Sequence, residues 1–300
     1  MWKYSVVVSP DQDLIDYCLK TDAIGALIVA NNQFALRANG DFSVDDINKL
    51  QEATNKPVIV NINKLFHNHQ LPQLEQYLID LDNIGIEYIY VADLGILNII
   101  KEHNLKLKAI YNTETTITNH YFSQLSDWLG ISGIEVAKEI NLKEIKAICE
   151  HKQGLVSMSG HGHIYMYQSL RPLISNYQSY QQKSFDLNEE FYLYDSERDV
   201  YYPIIENEQG THILASSDLC TIHKLHDLAD LNLEYVKLDS FLYKNSDFKQ
   251  ILSLYVEAYE LLINDSSQYQ QIAKTYLEKV EAICPYKKFQ TGFLYKRTVY

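Results

Sequence analysis

Two histidines, His161 and His163, stand one residue apart in the segment SGHGHIYMYQSLRPLISNYQ, which also contains Arg171. On an extended segment, alternate side chains point to the same side, so such a pair can share a metal ion. A metal site needs at least a third ligand, and the second H-x-H pair, at 67 and 69, lies in another part of the chain. We therefore predict no metal site and expect His163 to be structural.

Further polar side chains follow segments with strand character. Arg37 can grip a carboxylate through two parallel hydrogen bonds, although a surface ion pair explains this arginine equally well. Lys237 and Asp239 end the last such segment and are candidates for catalysis. The remaining amide and acidic residues can bind a ligand or cap the helix that follows. These are Asn61, Asn63, Asp93, Asn112, Glu114 and Glu139.

Short β-branched runs alternate with amphipathic helical patterns over most of the chain, which favours parallel strands with helical crossovers. Eight such strands close a (β/α)₈ TIM-type barrel, an α/β fold, and an open doubly wound sheet is the alternative. Ser43 and Asn141 are predicted to cap two of the helices. The predicted strands are 5–9, 25–30, 57–63, 86–92, 107–112, 133–137, 154–159 and 234–239.

The seventh and eighth predicted strands are separated by a long tyrosine-rich segment. Residues 192–214 read as a β-hairpin, so we interpret 160–233 as an insertion at the C-terminal face of the barrel, where such enzymes keep their chemistry. An amphipathic helix is predicted at 246–265. We therefore expect a barrel domain at 1–265 and a polar C-terminal tail at 266–300.

The composition excludes several classes of protein. The 300 residues carry a net charge of −13, which argues against strong unaided binding to nucleic acid. We see no signal peptide and no membrane-spanning run, and the four cysteines form no C-x-x-C motif, so we expect reduced thiols in a cytoplasmic protein. The sequence has no HExxH, G-x-S-x-G, P-loop or GxGxxG motif.

Several stretches, taken in order along nearly the whole chain, resemble the U32 family, the collagenase-like peptidases. The resemblance implies a TIM-type barrel, and the family name implies a hydrolase that acts as a protease. It also supports a ligand-binding role for Arg37, His161 and Arg171, which match family positions. The stretches are FALRANGDFS, VNINKLFHNHQLPQLEQYLIDLDNIGIEYIYVADLGIL, NTETTITN, VAKEINLKEI, HGHIYMYQSLRPLISNY, GTHILASSDLC and TGFLYK.

Some family members carry an iron–sulfur cluster, and this chain departs from their pattern. Two of the cluster cysteines would fall on Tyr165 and Pro172, and Cys220 alone matches a family cysteine. One thiolate cannot hold a cluster that takes four, so we expect no cluster and no other resident cofactor. At the eighth strand Lys237 and Asp239 persist, while Phe241 replaces the arginine that the family often has.

Because it lacks these residues, the chain resembles the smaller U32 proteins that act beside a larger, cluster-bearing one. The resemblance implies a subunit in prephenate-dependent 5-hydroxylation of the wobble uridine of tRNA, with prephenate as co-substrate and tRNA reached through the complex rather than directly. No membrane partner is expected. Two alternatives remain open: a U32 peptidase, and a non-catalytic scaffold that stabilises the larger partner. The resemblance assigns no catalytic residues; His161, Lys237 and Asp239 are the candidates.

Overall fold

The computed structural model describes residues 1–184, 186 and 190–297. Its main sheet contains eight parallel strands, each short and largely buried, as expected for strands covered on both faces. All eight fall where the sequence predicts them. They are β1 (Lys3–Val7), β2 (Ile24–Ala30), β3 (Val58–Ile62), β4 (Tyr88–Val91), β5 (Lys108–Tyr111), β6 (Gly133–Glu135), β7 (Leu155–Gly162) and β13 (Tyr235–Leu238).

The sheet closes on itself. Strands β1 to β7 pair in chain order, and β13 pairs with both β1 and β7. At the last seam Tyr235 lies opposite Ser157, in parallel register. The (β/α)₈ prediction is therefore confirmed, and the open-sheet alternative is wrong. Ala26, Ile28 and Tyr90 are among the side chains that fill the barrel interior as one buried cluster.

Helices connect the strands and cover the outside of the barrel. The Ser43 hydroxyl and the Asp46 carboxylate form a reciprocal capping box, and the Asn141 side chain accepts from the amide of Glu144, which confirms both predicted caps. The helices of this part are α1 (Gln12–Lys20), α2 (Val44–Glu52), α3 (Leu71–Asn83), α4 (Gly95–Glu102), α5 (His120–Leu129) and α6 (Leu142–Glu150), with a 3₁₀ turn at Asn68–Gln70.

The insertion folds as a second, antiparallel sheet. Antiparallel pairing within 192–214 is confirmed, but the segment forms three strands instead of one two-stranded hairpin. The sheet also begins earlier than predicted, because residues just after β7 join it. The four strands pair in the order β8–β11–β10–β9, and the helix α7 (Leu173–Gln181) follows the first of them. The strands are β8 (Tyr165–Ser169), β9 (Phe191–Asp195), β10 (Val200–Asn207) and β11 (Gly210–Leu214).

The C-terminal part returns to the barrel. The predicted amphipathic helix is α9 (Asn245–Asn264), and it is preceded by a short helix, α8 (Leu225–Ala229). A second long helix, α10 (Ser266–Ile283), packs on α9 and buries Tyr269 and Tyr276. Strand β14 (Phe289–Gln290) then pairs with β12 (Asp218–Cys220), which lies antiparallel to β7. Within the described residues, no helix is long and apolar enough to cross a membrane.

Candidate functional site

A cavity lies at the C-terminal ends of the barrel strands, under the second sheet. Its volume, taken as the space open to the centre of a water molecule, is about 30 Å³. Tyr165 of β8 and Leu214 of β11 belong to its lining, so the insertion forms part of its wall. The barrel brings together seven of the residues predicted from the sequence. They are Arg37, Asn61, Asn63, Asn112, Glu114, Lys237 and Asp239.

A three-membered charge network occupies one side of the cavity. Arg37 donates through Nη2 to Glu114 Oε1, and Lys138 Nζ lies 3.0 Å from Glu114 Oε2. Burial alone would raise the pKa of Glu114, but the charges of Arg37 and Lys138 hold that pKa well below its usual range. Glu114 is therefore ionised and already has two cationic partners.

The backbone at both ends of the Arg37–Glu114 pair is unusual. Arg37 has φ of 52° and Glu114 has φ of 65°, both in the left-handed region that side chains with a Cβ rarely adopt. The amide of Glu114 donates to Asn112 Oδ1 at 3.0 Å, which holds this turn. Such conformations persist only where the surroundings enforce them, and they cluster at functional sites.

Two buried polar atoms of the cavity wall have no partner among the residues that the structure describes. Arg37 stacks its guanidinium 4.0 Å from the centre of the Tyr165 ring, and its Nη1 is left without an acceptor. Asn61 Oδ1 likewise lacks a donor. By contrast, Asn63 Oδ1 is taken by the amide of Leu36 at 2.7 Å. A buried unpaired donor and acceptor are costly, so both point to a ligand or water as their partner.

A second buried pair lies deeper in the barrel. Lys237 Nζ is 2.5 Å from Glu135 Oε1, which also accepts from the Ser159 hydroxyl at 3.1 Å. Although burial lowers the pKa of Lys237, the charges of Glu135 and Glu114 raise it above its ordinary value. Asp239 Oδ1 accepts from the amide of Phe241 in a local turn. Lys237 is thus a charged structural partner of Glu135 before any ligand is considered.

Two members of these networks, Glu135 and Lys138, were not predicted from the sequence. Glu135 lies inside β6 and Lys138 follows it, whereas the sequence interpretation named Glu139 from the same segment. Their place in the fold could have indicated both residues, because the C-terminal end of β6 faces the same cavity as the ends of β2 and β5.

His161 lies outside the cavity lining, in an aromatic cluster. Its ring centre is 5.3 Å from that of Tyr243 and 5.9 Å from that of Phe289, and its Nδ1 is 3.3 Å from the Tyr255 hydroxyl. Burial lowers the pKa of His161 to about 3, so the ring is neutral. Gly162, with φ of 121°, breaks the strand alternation between the two histidines.

His163, in contrast, lines the cavity. Its Nδ1 lies 2.7 Å from Asp218 Oδ1, and Lys287 Nζ approaches its Nε2 at 3.1 Å. Tyr243 donates to Asp218 Oδ2 at 2.5 Å. Burial would raise the pKa of Asp218, but the contact with His163 and the charge of Lys287 keep it well below its usual range. The C-terminal segment thus reaches the wall of the cavity through Lys287.

Two further groups belong to the second sheet. Arg171 is exposed beyond β8 and does not line the cavity, although its carbonyl accepts from the Thr211 hydroxyl at 2.8 Å. His212 of β11 is buried, and neither of its ring nitrogens has a partner within the described part of the chain. Burial and the nearby charge of Arg37 lower the pKa of His212 to about 4.

The cysteines do not fit an iron–sulfur cluster. Cys18 lies on α1 and Cys149 on α6, two helices on the outside of the barrel, while Cys220 lies on β12 and Cys284 follows α10. Burial raises the pKa of every one of these thiols, which disfavours the thiolate form that binds iron. Among the described residues, no group of three or more His, Cys, Asp or Glu side chains is arranged to hold a metal ion.

Comparison with known proteins identifies the family of this chain. The sequence profile of peptidase family U32 matches residues 19–299. The chain belongs to this family. It is 34% identical over 284 residues to tRNA hydroxylation protein P2 of Bacillus subtilis, and the alignment covers 92% of each chain.

Two more distant relatives are longer than this U32 chain. tRNA hydroxylation protein P1 of Bacillus subtilis is 20% identical over 89% of this chain and 65% of its own length. The uncharacterized protease MJ0090 of Methanocaldococcus jannaschii is 24% identical over 97% of this chain and 73% of its own length. The family therefore includes proteins with RNA-modification names and proteins with protease names.

Proposed function

We propose that this U32 protein is a subunit of a tRNA hydroxylation system and acts in the prephenate-dependent 5-hydroxylation of the wobble uridine. The observation that carries the proposal is its 34% identity, over 92% of both chains, to a protein named for tRNA hydroxylation. The alignment has no large unmatched region on either side, so a shared role needs no additional domain. Because tRNA is the substrate, we place the protein in the cytoplasm.

The partner in this proposal is a larger, cluster-bearing U32 protein. The relative named P1 carries the same name as P2 with a different number, and it extends well beyond the region that aligns with this chain. A partner that supplies the cluster also accounts for the cysteines here, which are buried and dispersed. With a net charge of −13, this chain contacts tRNA through the complex rather than alone.

The cavity would bind prephenate or a related carboxylate in this system. Arg37 Nη2 is held by Glu114, and the unpaired Arg37 Nη1 is the donor that remains for a ligand. Asn61 Oδ1 can accept from a ligand hydroxyl within the same wall. The unpaired atoms favour a protein that binds a ligand in this cavity over a non-catalytic scaffold, since unpaired buried polar atoms would only lower the stability of a scaffold.

A peptidase is the second candidate, favoured by the family name and by the relative named a protease. A cysteine peptidase needs an accessible thiol with a lowered pKa, whereas burial raises the pKa of all four thiols here. His163 and Asp218 form a dyad, but the atom that approaches His163 Nε2 is the Lys287 ammonium rather than a serine or cysteine. These contacts favour the hydroxylation role.

The deciding experiment is nucleoside analysis of tRNA from a strain that lacks this gene. We expect loss of 5-hydroxyuridine and of its derivatives at the wobble position, and recovery when the intact gene is returned. A strain that lacks only the larger U32 gene serves as the positive comparison. Unchanged modification in the deletion strain, together with cleavage of casein or gelatin by the purified chain, would favour the peptidase instead.

A further inference from the structure

Three half-exposed tyrosines form a cluster on the hairpin β9–β10. Tyr194 and Tyr201 stack with ring centres 4.7 Å apart, and Tyr192 meets Tyr201 edge-on at 6.5 Å. Their exposed fractions are 50% for Tyr192, 53% for Tyr194 and 58% for Tyr201. Large rings held in place by each other, yet open to solvent, are typical of protein interaction sites. We call these three residues the tyrosine shelf.

The tyrosine shelf faces the same side of the sheet as the wall of the cavity. Tyr201 pairs with Tyr194, and Ile205, on the same face of β10, pairs with His212. His212 is buried beside Arg37, so this face covers the barrel at β11 and continues outward as the shelf at β9. The turn between β10 and β11 is tied to the barrel, because Gln209 Nε2 donates to the carbonyl oxygens of Asn32 and Ala35.

Carboxylates bracket the tyrosine shelf at both ends. The Tyr192 hydroxyl donates to Glu190 Oε2 at 2.7 Å, and the Tyr194 hydroxyl donates to Asp199 Oδ1 at 3.0 Å. Residues 190–201 contain four carboxylates and one guanidinium, which gives a net charge of −3. Both the negative charge of the carboxylates and the electron-rich faces of the rings attract cations. It repels the phosphates of RNA, so stacking of unpaired bases is the weaker explanation of the tyrosines.

We propose that the tyrosine shelf is the docking surface for an Arg- or Lys-bearing segment of the larger U32 partner. The inference rests on the proposed function for the identity of that partner. Charge complementarity indicates what binds to the tyrosine shelf, because an acidic aromatic surface on a chain of net charge −13 fits a cationic protein segment. A segment seated there lies beside the cavity, so the interface would place the partner close to the ligand bound by Arg37.

A competing surface lies on α5. Tyr121, Leu125 and Trp128 occur at helical spacing on that helix, and all three are exposed. No carboxylate is bonded to the Tyr121 hydroxyl among the described contacts, and α5 lies on the outside of the barrel rather than beside the mouth. The α5 stripe therefore serves as the comparison surface in the test.

The test measures binding between the purified chain and the purified larger U32 protein of the same organism by titration calorimetry. We expect Tyr194→Ala with Tyr201→Ala to weaken binding at least about ten-fold. Glu190→Gln with Asp199→Asn should weaken it several-fold and reduce its dependence on salt. Tyr286→Ala is the matched control, because Tyr286 is also exposed and also donates to a carboxylate, that of Asp247. It should leave the affinity unchanged.

The outcomes separate this inference from the proposed function. If the wild-type proteins bind, and the shelf variants remain folded by circular dichroism and bind equally well, the shelf is not the interface while the two-protein system stands. If Trp128→Ala alone abolishes binding, the interface lies on α5 and the inference fails. If the shelf variants instead lose affinity for an anticodon stem-loop RNA, the occupant is RNA. If the wild-type chains do not associate at all, both the inference and the partner in the proposed function fail.

Discussion

Arg37 and Glu114, which lie 77 residues apart in the sequence, form a buried ion pair in which both partners adopt left-handed backbone. The Arg37 side chain is 10% exposed and that of Glu114 is 11% exposed. The loops after β2 and β5 meet here only because the barrel closes. The pair holds one edge of the guanidinium through Nη2, and Nη1 has no acceptor within the described residues. The same side chain therefore belongs to a buried ion pair and retains an unused donor.

Glu114→Gln is expected to destabilise the protein by about 3–5 kcal/mol at neutral pH, because Arg37 and Lys138 would remain buried without a carboxylate. The measurement is urea unfolding followed by circular dichroism. Glu87→Gln is the control: the Glu87–Lys108 pair is 2.7 Å long but about half exposed on both sides, so its loss should cost at most about 1 kcal/mol. Equal losses in the two variants would contradict a structural role for the buried network.

The same pair predicts an acid response. The pKa of Glu114 is lower in the folded chain than in the unfolded one. Its ionised form therefore contributes fully to the free energy of unfolding above the unfolded pKa, about 4.3, and this contribution is lost as the pH falls toward the folded pKa. Below about pH 4, the wild type should therefore lose stability more steeply than Glu114→Gln. Parallel curves for the two proteins in that range would rule out this contribution.

Arg37→Ala is expected to weaken binding of prephenate or a related carboxylate by about ten- to a hundred-fold, which corresponds to one lost charge-assisted contact of about 1.5–3 kcal/mol. Arg37→Lys should also lose much of the affinity, because the second donor disappears with the planar fork. Calorimetric titration with the larger partner present measures both. Arg171→Ala should bind normally, since Arg171 is exposed outside the cavity. An equal loss in Arg171→Ala would move the ligand site to the second sheet.

Most of the fold could be predicted from the sequence, because strand and helix patterns are local. Seven strand-end residues could be placed in one cavity for the same reason, since the C-terminal ends of parallel barrel strands share one face. The ion-pair partner of Arg37 could not be predicted: the sequence allows an ion pair without indicating its carboxylate, and the structure pairs Arg37 with Glu114. The distances that decide this depend on side-chain packing across the barrel.

The two histidines illustrate a second limit. Strict alternation would turn both to one side, but the left-handed Gly162 reorients the chain, so that His161 enters the aromatic cluster and His163 reaches the cavity. Lys287 is part of the His163 environment although it follows α10, near the end of the chain. Hydrophobic periodicity could not have predicted this contact, because the segment that follows α10 folds back to the cavity from a distant part of the sequence.

The purified chain is expected to be colourless and to contain no stoichiometric iron. Its four thiols lie on separate elements, and burial raises the pKa of each. Anaerobic purification, elemental analysis and visible spectroscopy test this, with the larger U32 protein that we propose as its partner purified in parallel for comparison. Several irons per chain, with cluster absorbance, would contradict it.

His161→Phe is expected to make the protein less sensitive to mild acid. In the folded chain burial lowers the pKa of His161 to about 3, whereas the unfolded value is about 6.5. The unfolded state therefore binds a proton that the folded state excludes. Above about pH 6.5 the free energy of unfolding does not depend on His161, and below that pH it falls by about 1.4 kcal/mol per pH unit. Between about pH 6.5 and pH 5 the wild type should lose about 2 kcal/mol more than the variant.

The local packing makes phenylalanine a suitable replacement for His161. The ring lies among Tyr243, Tyr255 and Phe289, and the Tyr255 hydroxyl keeps its contacts with Gly160 and Thr221 when the imidazole is removed. Urea unfolding at several pH values measures the slope, and His103→Phe, at an exposed histidine after α4, is the control that should leave it unchanged. If His161→Phe and the wild type lost stability in parallel, the imidazole would have to be protonated inside the folded barrel. That outcome would place a charged imidazole inside the aromatic cluster and contradict the neutral ring.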